Sequence, residues 1–344
     1  MRYENVCVEA VVNLLPEEII TTDEIERRLA PVYERLRLPP GRLELMTGIR
    51  ERRLWPRGSR PGQISIQTVR KALTQSGVDP QRVGALIHGS VCRDYLEPAT
   101  ACGVHEGTGL PENCQIFDVS NACLGILTSM LQAANMIELG QIEAAIVVGT
   151  EDSRSLLETT IQQMLADTTL TRQTIKPLFA SLTIGSASAA FVLTHRRISR
   201  TGMRLLGAKV LANSAYCHLC RSDESVRSGD AMKTDSETLL VQGVDTARRL
   251  FPQFLEELAW SREEIARFFC HQVGKAHQKL LYETLAIDFQ KDFSTLEFLG
   301  NTGSAALPSA FSIGLERGVC RKGEKIALLG IGSGINSLMI GVEI

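Results

Sequence analysis

The sequence predicts an α/β fold built from two similar halves. Short apolar runs alternate with amphipathic stretches along the chain, as strands alternating with crossover helices do. One order of landmarks (strand, loop, helix, strand) occurs twice. The 344 residues, 44 % apolar and 22 % charged, are enough for a large core and argue against disorder.

Residues 5–14 read as the first strand. Thr22 is placed to cap a helix over 23–37. Residues 64–76 read as a helix ending before Gly77. Val83–Gly89 and 116–119 are short apolar runs bounded by turns, as buried strands are. A helix over 124–139 is stopped by Gly140, and 144–149 (AAIVVG) is a buried strand. Such alternation implies a mostly parallel sheet. In the second half Asn301 opens a small-residue helix that ends near Gly318 and leads to the strand at 326–332. One step earlier, 84–90 matches 267–273. A period near half the chain indicates an internal duplication rather than a solenoid, dividing the chain into residues 1–195 and 196–344.

Composition narrows the function. The net charge is −2 and no basic block stands out, so nucleic acid is a poor partner. No apolar run is long enough to span a membrane, and the first residues read as a strand rather than a signal peptide. Nine irregularly spaced cysteines fit reduced thiols in a cytoplasm better than a disulfide framework.

Cys123, in DVSNACLG, falls between a predicted strand and a predicted helix. A thiol there meets unpaired N–H groups and the positive end of the helix dipole, which favour the thiolate. The competing reading is a buried cysteine acting as a small apolar residue. His271 ends a strand of the second half, and Asn301 opens the loop GNTGSAALPSA. Duplicated halves bring these loops and that of Cys123 together at strand ends, where open α/β sheets place their sites. Histidine and asparagine beside a thiol can donate to a thioester oxygen as charge develops, and histidine can move a proton. Taken singly, each is as compatible with a core histidine and a turn asparagine.

Gly330–Gly334 resembles a dinucleotide loop, but a strand follows it instead of a helix. Its better use is a close backbone approach with an N–H facing the site. Cys217, His218 and Cys220 have metal-ligand spacing without a second pair, so no metal is expected. His88, His105, His195 and His277 have no visible partners and are read as structural. Arg50, Arg52 and Arg53 form a basic run, either a solvated face or a contact for phosphates.

Together TGIRERR, DVSNACLG, the HQV at His271 and GNTGSAALPSA resemble the thiolase superfamily, and within it the ketoacyl synthase III type. The resemblance covers nearly the whole chain. It implies a thiolase fold of five layers, α/β/α/β/α, and a homodimer. It also implies a Cys–His–Asn set of Cys123, His271 and Asn301, with an oxyanion hole from the backbone of Cys123 and of Ser333. Residues 29–39, 41–55, 90–101 and 326–336 carry a finer resemblance to the OleA-type acyl-CoA condensing enzymes. Such enzymes join two acyl-CoAs without decarboxylation and take the α-proton with a glutamate donated across the dimer. In the matching RDYLEP segment that residue is Glu97, otherwise an exposed loop carboxylate before Pro98. No cofactor is implied beyond the CoA thioester substrate, whose phosphates Arg50 would meet.

Two departures are visible. Fatty-acid-initiating synthases carry a tryptophan after an early Asp-Glu, where this chain has Ile25, and 181–190 lacks their Gly-Asp-Gly. Carrier-protein use is therefore not read from the sequence. The rival functions are a decarboxylative synthase fed by a malonyl thioester, Cys123-dependent acyl transfer to oxygen or nitrogen, and an acyl-binding protein without catalysis.

Overall fold

The computed structural model describes residues 1–221 and 233–344. The chain begins with β1 (Val6–Leu14), β2 (Glu18–Thr21), α1 (Thr22–Arg28), α2 (Ala30–Leu36) and α3 (Arg42–Thr47). Next come β3 (Glu51–Leu54), α4 (Pro61–Ser76), β4 (Val83–Gly89), α5 (Thr100–Thr108) and β5 (Gln115–Val119). Then follow α6 (Gly125–Glu138), β6 (Ala144–Glu151), α7 (Arg154–Ala166), α8 (Lys176–Leu182) and β7 (Ala187–His195). The rest holds β8 (Arg204–Ala212), β9 (Cys220–Arg221), β10 (Lys233–Thr234), α9 (Ser236–Leu258) and β11 (Ile265–Cys270). It closes with α10 (Lys275–Leu285), α11 (Leu296–Leu299), α12 (Ala306–Glu316), β12 (Lys325–Gly332) and β13 (Asn336–Glu343).

Nine strands pair in the order β11-β12-β13-β8-β1-β7-β6-β4-β5. From the centre outward, β1-β7-β6-β4 and β8-β13-β12-β11 repeat one pattern: two antiparallel steps, then a parallel one. The first half adds β5, parallel to β4, and a single parallel bridge from Phe268 to Asp292 marks the corresponding place in the second. The expected mostly parallel sheet is thus corrected to a mixed one. Crossover helices join β4 to β5 and β5 to β6, but the chain returns antiparallel at β6–β7 and through the short turn between β12 and β13. An alternation of strands and helices does not by itself tell a crossover from a return.

Strand period two builds the layers. On β12, Ile326 and Leu328 face a core shared with α6, α12 and the strands of the first half, whereas Ala327 and Leu329 face α9 and α10. On β6, Ala145 and Val147 face the shared core, and Ile146 and Val148 face α4 and α5. The result is five layers with α6 and α12 in the middle, which is why the N-termini of these two helices can share one site. A separate cluster caps the first half, with Ile25, Leu29, Leu43, Leu157 and Ile161 at its centre. Ile25 is fully buried there, so it offers no face to a ligand.

The helix expected over 23–37 is two helices meeting at Leu29, with Pro31 in the first turn of the second. Its cap is Thr21, whose hydroxyl accepts from the Glu24 N–H at 3.1 Å. Thr22 is instead buried, and its hydroxyl donates to the Ile49 carbonyl at 2.5 Å.

Candidate active site

The nucleophile candidate sits between β5 and α6. One 3-10 turn, Ala122–Leu124, carries Cys123, and α6 begins at Gly125. Ala122 is left-handed, with φ 44°, which costs a non-glycine residue about 1–2 kcal/mol. Close packing holds that turn. A β-carbon on Gly125 would lie 2.8 Å from the carbonyl carbon of Gly89, so the helix start rests directly on the end of β4. The Asn121 side chain donates to Thr128 Oγ1 and accepts from Asn336 Nδ2, each at 2.9 Å, tying the turn to the start of β13.

The glycine loop meets the same turn. A β-carbon on Gly332 would stand 3.1 Å from Leu124 Cγ and 3.6 Å from the Cys123 backbone nitrogen. Gly332 ends β12, and Ser333 follows it half-buried in the turn to β13. This is the close approach expected of the glycine loop, and Ser333 is the next residue along it.

The second half supplies His271 and Asn301. His271 directly follows β11, and its N–H donates to the Leu329 carbonyl at 2.9 Å. Its ring is buried and Nδ1 has no hydrogen-bond partner. Burial, with a smaller effect of the neighbouring His277, lowers the His271 pKa to about 3, so the imidazole is neutral near pH 7. His277, read as structural, is itself buried and lowered to about 4. Asn301 is held on three sides. Its N–H donates to Thr183 O, its carbonyl accepts from the Gly185 N–H, and Oδ1 accepts from the Gly303 N–H at 3.0 Å.

A buried carboxylate joins these pieces, and the sequence reading missed it. Glu151 ends β6 at 5 % exposure and accepts from the N–H groups of Val91, Cys92 and Ser304 and from the Ser304 hydroxyl. Its one sequence signal is a charge placed directly after a wholly apolar strand. Burial first, then Glu151 and Cys220, push the Cys123 thiol up to about 12. The thiolate stabilisation expected from a helix start is therefore corrected. A single 3-10 turn offers few free N–H groups, and desolvation beside a carboxylate outweighs them.

Other expected residues lie elsewhere. Glu97 is exposed on the loop after β4, together with Val91, Tyr95 and Leu96. Arg50 is exposed and pairs with Glu297 at 3.3 Å. Arg52 is not available to phosphate: it is fully buried, donating to Thr22 Oγ1 at 2.9 Å and Leu182 O at 3.0 Å, with its pKa lowered to about 10 by burial. Arg53 donates to Pro16 O. A cationic group not singled out in the sequence lines a cavity of about 110 Å³: Arg37, Arg42, Arg172 and Lys176, beside Leu38 and Phe179. Arg42 Nε there is buried and without a partner. Among the described residues no group of histidine, cysteine and carboxylate side chains could hold a metal ion.

The family model for the C-terminal part of 3-oxoacyl-[acyl-carrier-protein] synthase III matches residues 255–342, and that for the thiolase N-terminal domain matches 46–201. The acyl-CoA:acyl-CoA alkyltransferase of Shewanella oneidensis is 38 % identical over 100 % of both chains. This chain belongs to the acyl-CoA:acyl-CoA alkyltransferase family. It has the thiolase fold and is an acyltransferase of the condensing type. Solved structures of Xanthomonas campestris OleA superpose on this family member closely. A glutamate-to-glutamine variant matches with a TM-score of 0.95 and 34 % identity over 100 % of this chain and 98 % of that one. A cysteine-to-serine variant with bound lauric acid and lauroyl-CoA matches with a TM-score of 0.94 and 34 % identity over 99 % and 100 %. Alanine variants at a cysteine and at a histidine of that enzyme match equally well.

Proposed function

We propose that this chain joins two acyl-CoA molecules by a Claisen condensation without loss of CO₂, through an acyl group carried on Cys123. The observation that carries the reading is the half-buried Cys123 turn set against the Gly332 backbone, in a chain alike over its full length to an acyl-CoA:acyl-CoA alkyltransferase. The Cys123 sulfur attacks the first thioester and CoA leaves as the thiol. Because burial keeps Cys123 protonated at neutral pH, its proton must depart as the bond forms. Neutral His271, whose Nδ1 is unpaired, is our candidate to take it. The N–H groups of Cys123 and Ser333 stabilise the oxyanion. His271 and Asn301 donate to the carbonyl oxygen of the second acyl-CoA as its α-carbon loses a proton. The carbanion attacks the Cys123 thioester, the sulfur leaves, and a β-ketoacyl-CoA is released.

The α-proton needs a base. Glu97 of the partner subunit fills this role in our reading. In OleA the substituted glutamate and cysteine stand as far apart along the chain as Glu97 and Cys123 do here. Two further features support a homodimer. β5 is an edge strand with partly exposed side chains, an open template for pairing. The neighbouring Glu97 loop also exposes Val91, Tyr95 and Leu96, at 53, 45 and 75 %. We place the CoA phosphates at the Arg37–Arg42–Arg172 cavity rather than at Arg50, whose charge is already paired. A CoA substrate and nine free cysteines favour a cytoplasmic setting.

Acyl-CoA alone should yield β-ketoacyl-CoA and free CoA without CO₂, measured by mass spectrometry. A product that forms only with a malonyl thioester would overturn this assignment in favour of the decarboxylative one. His271→Ala and Asn301→Ala should each slow condensation by roughly 10²-fold with unchanged melting temperature. Near wild-type rates in both would remove them from the mechanism. Arg42→Ala should raise KM for acyl-CoA about tenfold with little change in kcat. An unchanged KM would place the phosphates elsewhere.

A further inference from the structure

We propose that Glu151 is a positioning residue that locks the start of the Glu97 loop to the turn after Asn301 in its own subunit. One carboxylate thereby sets both the Asn301 turn used in condensation and the base that the subunit lends to its partner. The second half of this statement rests on the reading of Glu97 given above.

The geometry is that of a bracket. Glu151 Oε1 accepts from the Val91 N–H at 3.0 Å and from the Ser304 N–H at 3.2 Å, and Oε2 accepts from the Cys92 N–H at 3.2 Å. Val91 and Cys92 begin the loop that ends at Glu97. Ser304 lies in the 3-10 turn just after Asn301, at the head of α12. Gly303 leaves room for the carboxylate: a β-carbon there would stand 3.2 Å from Glu151 Cδ. Three backbone donors from two separate loops thus converge on one side chain, and the Cys123 thiol lies within range of its charge. A neutral hydrophobic residue would fill the space but leave those donors buried and unpaired, which is costly. An amide would satisfy some of them and turn its own NH₂ against another. Neither the acylation chemistry nor the α-proton transfer uses Glu151, so a buried carboxylate at this junction calls for another role.

The carboxylate has a cost that makes the role testable. Burial first, then the Glu151 charge and Cys220, raise the Cys123 thiol. Glu151 itself is pushed up by burial and held down by its four donors. Cys92, bonded to Asp152 as well, is raised well above its ordinary value by the same surroundings. A residue that only filled space would leave the titration of Cys123 where it is.

The test uses the full-length dimer. Alkylation of the Cys123 peptide by iodoacetamide is followed against pH by mass spectrometry, beside single-turnover acyl loading and steady-state condensation. For Glu151→Gln the alkylation profile should move about one unit toward lower pH. Acyl loading should stay within about threefold, and condensation should fall at least tenfold. Glu151→Asp keeps the charge but shortens the bracket, so its alkylation profile should stay near wild type while condensation still falls. This variant also serves if the Gln form fails to fold. A wild-type profile with condensation within threefold in Glu151→Gln overturns the proposal. Glu97→Ala, run in parallel, separates the two claims. If it condenses normally while Glu151→Gln still shifts the profile and slows turnover, the base assignment falls and the bracket stands. If Glu97→Ala is inactive and Glu151→Gln behaves as wild type, the bracket falls and the base assignment stands.

Discussion

Cys123→Ala should take up no acyl group from acyl-CoA and form no condensed product. The wild-type protein should gain one acyl mass on the peptide that contains Cys123. This is the largest effect expected, because Cys123 is the thiol on the turn that meets the Gly332 backbone. Among the other cysteines, Cys92 is half-buried and Cys270 buried, both with their thiols pushed up, and Cys7 and Cys114 pack in the core. A full adduct in Cys123→Ala would remove this residue from the mechanism. The direction of the pH dependence follows from the thiol being held up to about 12. In the absence of substrate, alkylation of Cys123 should climb steadily from pH 7 to pH 10 with no plateau. A plateau near neutral pH would mean that a stable thiolate forms, contrary to the burial and the neighbouring carboxylate.

Glu97→Ala should still load an acyl group on Cys123 but lose condensation by roughly 10²-fold or more. An α-proton beside a thioester is weakly acidic, and without decarboxylation something must remove it. Within one subunit Glu97 is exposed on a loop, so the reading requires the neighbour's site. Mixing Glu97→Ala with Cys123→Ala subunits should therefore restore activity in heterodimers, where one intact nucleophile meets one intact base. Separate homodimers of either variant should stay inactive. Full condensation by Glu97→Ala, or no recovery on mixing with proven subunit exchange, would sink the role across the dimer. A merely structural Glu97 would lower acyl loading and condensation together, which the single-turnover experiment separates.

The sequence by itself determined most of the elements and singled out Cys123, His271 and Asn301 as candidates. Val83–Gly89 is a strand with the bounds expected of it, and α6, β6 and β12 lie within two residues of their expected limits, whereas α12 begins only at Ala306, behind the 3-10 turn that follows Asn301. Strand and helix periodicities are local, so they survive in a single chain read residue by residue. The Cys123, His271 and Asn301 motifs were legible for a related reason: each sits where a strand ends or a helix begins, and such boundaries are marked by small and turn-forming residues. What depends on partners distant in sequence was decided only by tertiary structure. Arg52 reads like Arg50 in the basic run, yet one is sealed under Leu182 and Thr22 and the other stands in solvent against Glu297. The antiparallel returns of the sheet, the cavity shared by Arg42 and Arg172, and the rise of the Cys123 thiol all depend on segments that only the fold sets side by side. Glu151 shows the reason most directly. A carboxylate at the end of an apolar strand is unremarkable until the fold sets Val91, Cys92 and Ser304 around it, because desolvation and hydrogen bonding depend on what surrounds a group and not on its neighbours in the chain.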